Sequence, residues 1–589
     1  MCTQTRTAAG QTSGQAPGEP AGSPGAVVEQ GSAAETVAAA EAPPVRCQGD
    51  TVTQIVVRPR EPFVRGLLDK WQVVSRLVSA THVTTDPDVV RGFLVLREGE
   101  PCTELRRAES ERILRAQPFL ATAVVRPEPD GPGHVRIVVE TVDEVTLVAG
   151  VRATNESPQL RMLRVGDANL LGEGMYAAAE WRAGTFGRTG YTARFMDYQA
   201  FGEPYQFGLE ARRNEVGGLW HASVAHPYFT DLQRVAWRVS GGEAHDFLAL
   251  RQDGSDELAL GSRRRYYDVG GLVRIGVPGR LSLFGVSFTG DRVQMDPAPL
   301  RFTPDGPVEV PGAAPVLDRY RQTRSARVNA LWGVRNISFL PVQSFDALNA
   351  VQDARVGFQA GAMLGRSLAV LGSRDDDIFV AADLYAGAGS PNSFLMLSAK
   401  GEGRQDYDTN RWDGVLGSAR LAWYLRLAPT QTTVSSVEWS GGWRTRVPFQ
   451  LLLGQPDGGV RGYAHSASSG ARRLVARAEH RWFLGHYRES AEYGLAAFVD
   501  AGRLWAGDVP FAENTPTMVG AGIGLLAAVP PGSQRLWRLD LAYPLSHDPR
   551  GRLEIRISSS NLSRNGWREP VDVRRSREQS MPEGLFSWP

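Results

Sequence analysis

From about Val145 to Ile557 the chain alternates apolar and polar residues in short segments separated by Gly, Asp, Asn and Pro. Tyr191–Phe201, Leu281–Phe288, Ile378–Tyr385, Ala419–Leu427, Tyr493–Phe498, Leu536–Tyr543 and Leu553–Ile557 are representative. A period of two predicts strands with one apolar and one polar face, and the lengths suit strands that cross a bilayer. Roughly 410 residues at an expected 25 or so per strand and connection predict about 16 strands. A soluble sandwich or propeller would alternate too, but the Trp and Tyr residues near so many strand ends favour a membrane barrel.

Upstream the period changes. Thr51–Val57 reads as a strand, Asp86–Leu96 as a helix opened by Asp86 and Pro87, and Thr103 as the N-cap of a second helix carrying Ile113 and Leu114. Strands Phe119–Arg126 and His134–Glu140 follow, giving the order β-α-α-β-β, with Pro59–His82 as a candidate inserted helix. Thr3 to Pro44 has almost no large apolar side chains and predicts a disordered arm. The division expected is therefore 1–48 arm, 49–144 small α/β domain, 145–560 barrel and 561–589 tail.

Composition narrows the function classes. The net charge is +1, and the cations are almost all arginines spread along the chain, so a nucleic-acid partner is not expected. No apolar run is long enough for a transmembrane helix, whereas barrel strands need only about 10 alternating residues. Met1 to Ala40 lacks a basic region followed by an apolar core, so no signal peptide is read; an exported protein is then expected to have lost its leader or to start at a misassigned residue. Cys47 and Cys102 flank the small domain and are either one disulfide or two reduced thiols. Cys2 beside Met1 is a weak lipid-attachment signal.

Enzyme signatures are missing: there is no G-x-S-x-G elbow, and Gly520-Ala521-Gly522-Ile523-Gly524 has Leu525 where a dinucleotide fingerprint needs glycine. The histidines lack metal-ligand spacing, and Asp375-Asp376-Asp377 beside Arg374 reads as a solvated turn rather than a calcium loop. Neither an enzyme, nor a cofactor, nor a metal is expected.

The most specific motifs lie late in the chain. Val460-Arg461-Gly462-Tyr463 follows Asp457-Gly458-Gly459, and Phe498-Val499-Asp500-Ala501-Gly502 ends an apolar strand. Earlier stand Gly166-Asp167-Ala168-Asn169-Leu170-Leu171-Gly172-Glu173-Gly174 and His226-Pro227-Tyr228-Phe229, and Arg538-Leu539-Asp540 through Leu545 stands near the end. In this order they resemble the BamA/TamA superfamily of outer-membrane barrels, also called the bacterial surface antigen family, which includes the two-partner secretion translocators. The small domain looks like a single POTRA domain, and Asn169, Gly172 and Gly174 look like the family's turn between its first two barrel strands. The resemblance implies a mainly β fold, a transmembrane antiparallel β-barrel preceded by one POTRA domain. It implies that Arg461 meets Asp500 and Glu479 within the lumen, where a guanidinium forks onto carboxylates as lysine cannot; Gly462 is expected to allow a tight backbone bend and Tyr463 to cover the pair with its ring.

The function so implied is assembly or translocation of polypeptides at the bacterial outer membrane, with the POTRA domain in the periplasm. Clients would be unfolded or extended chains caught by the POTRA edge and passed to the barrel seam or lumen. Other expected partners are outer-membrane lipid and, as a further candidate, accessory lipoproteins. The alternatives are a passive channel or structural surface antigen, and a translocator dedicated to one exoprotein. The tail, with Trp567, Phe586 and Trp588, departs from the family pattern and either folds back into the lumen or projects as a periplasmic end.

Overall fold

A computed structural model describes residues 47–62, 83–145, 147–154, 157–182, 189–214, 216–251, 257–303, 305–320, 322–455, 458–464, 466–488, 490–546, 552–561 and 567–578. The arm before Cys47, the candidate insertion over 63–82, Asp457, and Phe586 and Trp588 of the tail lie outside the described residues.

The small domain is a four-stranded sheet, β1 (Gln48–Arg60), β2 (Pro101–Thr103), β3 (Leu120–Pro129) and β4 (His134–Asp143), ordered β2-β1-β4-β3. β1 and β4 run parallel, and the other pairs are antiparallel. Helix α1 (Pro87–Gly92) starts because the Asp86 carboxylate accepts the Asp88 N–H at 2.7 Å and Pro87 sits where no N–H is needed. It stops short of the expected Leu96: Gly92 sits against the Gln199 side chain, and Phe93 turns into the core. Thr103 caps α2 (Glu104–Arg115), accepting the Arg106 N–H at 3.4 Å, and Ile113 and Leu114 are buried against the sheet. Strand β2, only three residues long, carried no periodic signal. Cys47 and Cys102 are joined in a disulfide with Cα atoms 4.9 Å apart, tying the start of β1 to β2.

Leu147–Thr154 opens a closed antiparallel sheet that ends with Glu554–Asn561, and these two strands meet to complete the ring. Among the described residues twenty-two strands share the sheet; the short hairpin Leu300–Thr303 and Gly306–Glu309 stands aside because Arg280–Met295 pairs directly with Thr323–Gln343, leaving twenty around the ring. The expected count of about 16 is thus too low. Hairpins such as Ser390 to Ser393, Ala428 to Gln431 and Val277 to Arg280 turn through two residues, so each strand and connection uses about 21 residues rather than 25.

The alternation is inside out relative to a soluble core. In Arg280–Met295, Phe284, Val286 and Phe288 are exposed while Ser287, Thr289 and Asp291 are buried. In Glu257–Val277, Val269, Val273 and Ile275 point outward while Arg264 and Asp268 point inward. The lumen holds ion pairs, and the outer wall is apolar.

The small domain is docked on one end of the ring. Arg112 donates to the Phe229 carbonyl at 2.6 Å, Arg115 forks onto Asp353 at 2.9 and 2.7 Å, and Ser533 donates to Glu144 at 2.6 Å. The connections near 171–174, 227–234, 344–350 and 529–534 therefore mark this end.

Candidate functional site

The segment joining Gln431–Trp443 to Arg472–Tyr487 leaves the ring at the end opposite the small domain and folds back into the lumen. A two-residue ladder, Leu451–Leu452 with Ser469–Gly470, holds its base. Val460 and Tyr463 are fully buried with Phe449, Leu451 and Leu453 against Val475, Leu504 and Met518 of the wall. Apolar packing thus fixes the backbone on either side of Arg461.

Arg461 then has one place to go. Its Nε and Nη2 donate to the two oxygens of Asp500, each at 2.8 Å, and its own backbone N–H reaches Asp500 at 3.2 Å. Nη1 donates to Glu479 at 3.1 Å and to Asp540 at 3.4 Å, and the guanidinium lies 3.4 Å from the centre of the Phe498 ring. Arg461 is 8% exposed and Asp500 0%, so these charges are largely out of water. Arg538 forks onto Glu479 at 2.8 and 2.9 Å and reaches Asp540 at 3.1 Å, while Arg481 donates to Glu479 at 2.6 Å. Three cations meet three anions, the condition under which buried charge is tolerated.

Gly462 takes φ 92°, and a Cβ there would stand 3.0 Å from the Pro544 nitrogen, so the loop approaches the wall more closely than any other residue allows. Its N–H donates to Glu554 of the final strand at 2.7 Å. Tyr463 sends its hydroxyl to the Val519 carbonyl at 2.8 Å instead of covering the ion pair. That cover comes from Phe498.

Arg461, Asp500 and Glu479 are brought together as one cluster, and Arg538 and Asp540, singled out only as part of an end motif, belong to it. Arg481, Phe498 and Glu554 were missed. Arg481 lies two residues from Glu479 on one strand and shares its face, a signal the alternation contained.

Asn169, Gly172 and Gly174 lie elsewhere, at the small-domain end. Their turn joins the second and third strands, not the first two, because Leu147–Thr154 precedes Ser157–Leu170 in the ring. Asn169 donates to the Thr85 hydroxyl at 2.8 Å and accepts the Gly174 N–H at 2.7 Å; Asp86 donates its N–H to Gly172 at 3.0 Å. Thr85 in turn donates through N–H and hydroxyl to Asp143 at 2.8 and 2.7 Å. The turn is a dock for the small domain. Burial pushes the Asp143 carboxyl up to about 6, with the two Thr85 hydrogen bonds opposing that rise.

Asp375 and Asp377 pair with Arg446 at 3.6 and 3.1 Å, and Asp376 with Arg366. Among the described residues no group of three or more His, Cys, Asp or Glu is arranged to hold a metal ion.

No known family model and no curated protein matches the chain. Among solved structures it is similar to BamA from Haemophilus ducreyi lacking POTRA domains 1-3, at 13% identity over 86% of this chain and 83% of that one, with a TM-score of 0.33. It is similar also to CdiB from Escherichia coli, at 12% identity over 89% of this chain and 91% of that one, with a TM-score of 0.38. The siderophore receptor PirA from Pseudomonas aeruginosa gives 13% identity over 72% of each chain and a TM-score of 0.29. At such scores no property of those proteins is carried to this chain.

Proposed function

We propose that the protein is an outer-membrane β-barrel that acts on polypeptides, in membrane-protein assembly or translocation, with its small domain a periplasmic POTRA domain. The inside-out alternation carries this reading: a ring of exposed Phe, Val, Ile, Leu and Trp around a charged lumen is stable only if lipid covers the outside. The loop held by Arg461 in the lumen supports a wall that works on something passing it or pairing at its seam. Lipid is then a partner along the whole belt, and Glu554, held by Gly462, links the loop to the last strand at that seam.

Among the described residues the sheet has two outer strands, β2, three residues long, and β3, ten residues long; the longer edge, β3, offers strand addition to an extended client and is guarded. The Val125 N–H donates to Glu111 at 3.1 Å and its carbonyl accepts from Arg107 at 3.0 Å. Pro127, two residues on and in the same register, has no N–H to offer. Client pairing there requires the α2 side chains to leave.

The test combines conductance of the purified protein in planar bilayers with photocrosslinking from positions on β3 in cells. Crosslinked polypeptides that increase in Glu111→Ala and Arg107→Ala support the reading. Steady conductance with no crosslinked polypeptide in any of the three sinks it in favour of a passive channel.

A further inference from the structure

Residues 567–578, beyond the last described strand, run up the inside of the barrel. Trp567 starts near the small-domain end, packed against the cluster that holds Phe345 and Tyr424 and donating to Glu438 at 3.2 Å. A single helical turn, Val571–Arg574, follows, and Glu578 lies deep in the opposite half against Arg404, close to where that strand ends at Asp406.

Every acidic side chain of this segment meets a wall group. Glu569 accepts from Ser418, and Asp572 is forked by Arg473 at 2.6 and 3.2 Å. Glu578 takes Arg404 and lies 3.1 Å from the Arg327 guanidinium. Arg577, 1% exposed, reaches Glu402 at 3.4 Å and the Lys400 carbonyl at 3.3 Å. Arg264 donates to the Arg577 carbonyl at 2.8 Å. The groups that grip the tail come from strands on both sides of the lumen, so the segment spans it. Val573 is buried among Val460, Tyr463 and Leu453, and Pro570 stands beside Gly458, so the tail also backs the Arg461 loop. A cavity of about 510 Å³ remains beside it, lined by Arg212, His221, Arg238 and Arg574.

We propose that residues 567–578 are a resident plug, lying in a peptide track across the lumen, and that the lumen conducts or passes a chain only after this segment leaves. The track suits a segment that makes a helical turn and presents carboxylates three and nine residues beyond the first: Glu569 to Ser418, Asp572 to Arg473, Glu578 to Arg404 and Arg327. An apolar residue between them seats where Val573 does. Entry is from the small-domain end, where Trp567 lies, so an incoming segment of this kind displaces the plug by competing for the same arginines.

The inference rests on the membrane-barrel reading, and the two fail separately. Full-length protein carrying Asp572→Arg and Glu578→Arg sets like charge against Arg473, Arg327 and Arg404, so the segment is expelled while the wall is untouched. Planar-bilayer conductance is expected to rise several-fold over the unmodified chain. A synthetic peptide of residues 567–578, added from the small-domain side, should close the opened variant, and the same peptide with both reversals should not. A variant that keeps its heat-modifiable gel mobility yet conducts as the unmodified chain, or an opened variant indifferent to the peptide, overturns the plug. Failure of the unmodified chain to insert into bilayers at all overturns the membrane reading instead.

Discussion

Arg461→Ala is the sharpest perturbation of the lumen lock. The substitution leaves Glu479, Asp500 and Asp540 facing Arg481 and Arg538, so one buried carboxylate loses its counter-charge. Asp500 gives up both forked bonds at 2.8 Å and keeps from residue 461 only the backbone N–H at 3.2 Å. Breaking a buried pair from one side destabilises by about 3–5 kcal/mol, and the lost contact with Phe498 adds about 1 kcal/mol. The barrel's hydrogen-bonded ring does not depend on the loop, so the variant should remain heat-modifiable on gels while its urea midpoint falls and, on the function proposed above, polypeptide transport drops. Removing both charges in Arg461→Met with Asp500→Asn should recover at least about 2 kcal/mol of the single-variant loss, because neither partner is then left charged and alone. An Arg461→Ala protein within about 0.5 kcal/mol of the parent, or strictly additive losses in the double variant, would refute the reasoning. Unchanged transport would leave the loop a structural tie only.

Three further outcomes follow from the small domain and its dock. Asp143 holds its proton more tightly folded than unfolded, with a carboxyl near 6 against an ordinary 3.8, so its contribution is full below about pH 3.8 and lost as pH rises through 6. Asp143→Asn should remove about 3 kcal/mol of that pH dependence, read as hydrogen exchange of residues 84–96 corrected for intrinsic rates; an unaltered profile rejects it. Cys102→Ser opens a link of 55 residues, which on chain entropy lowers small-domain stability by about 4 kcal/mol, measured by protease resistance of that domain with and without reductant. Gly172→Ala places a Cβ 2.5 Å from the Thr84 carbonyl at φ 80°, so exchange at the dock should rise by at least tenfold while the strands are unaffected.

The strands were legible because the outer face and the lumen of the ring carry opposite polarity on adjacent residues, and Leu281–Phe288 carries that alternation without interruption. Their number was not, since it depends on turn length, and two-residue turns at Pro278-Gly279 and Pro391-Asn392 compress the chain. Arg461, Asp500 and Glu479 could be named from motif order, yet Phe498 as their cover could not, because ring placement is a product of packing. The tail's grip was invisible for a different reason. Glu578 and Arg404 are 174 residues apart, and nothing local in a carboxylate specifies which of many lumen arginines it will meet.

The tail's binding groups also have a consequence for the order of assembly. Arg264, Arg327, Arg404, Ser418 and Arg473 stand on five different strands, and no two neighbours in the sequence form the track between them. The site exists only when the strands from Glu257–Val277 through Arg472–Tyr487 have paired into one curved wall. Seating of residues 567–578 therefore follows the pairing of that whole arc and works as a check on it: a wall missing any of those strands lacks part of the grip.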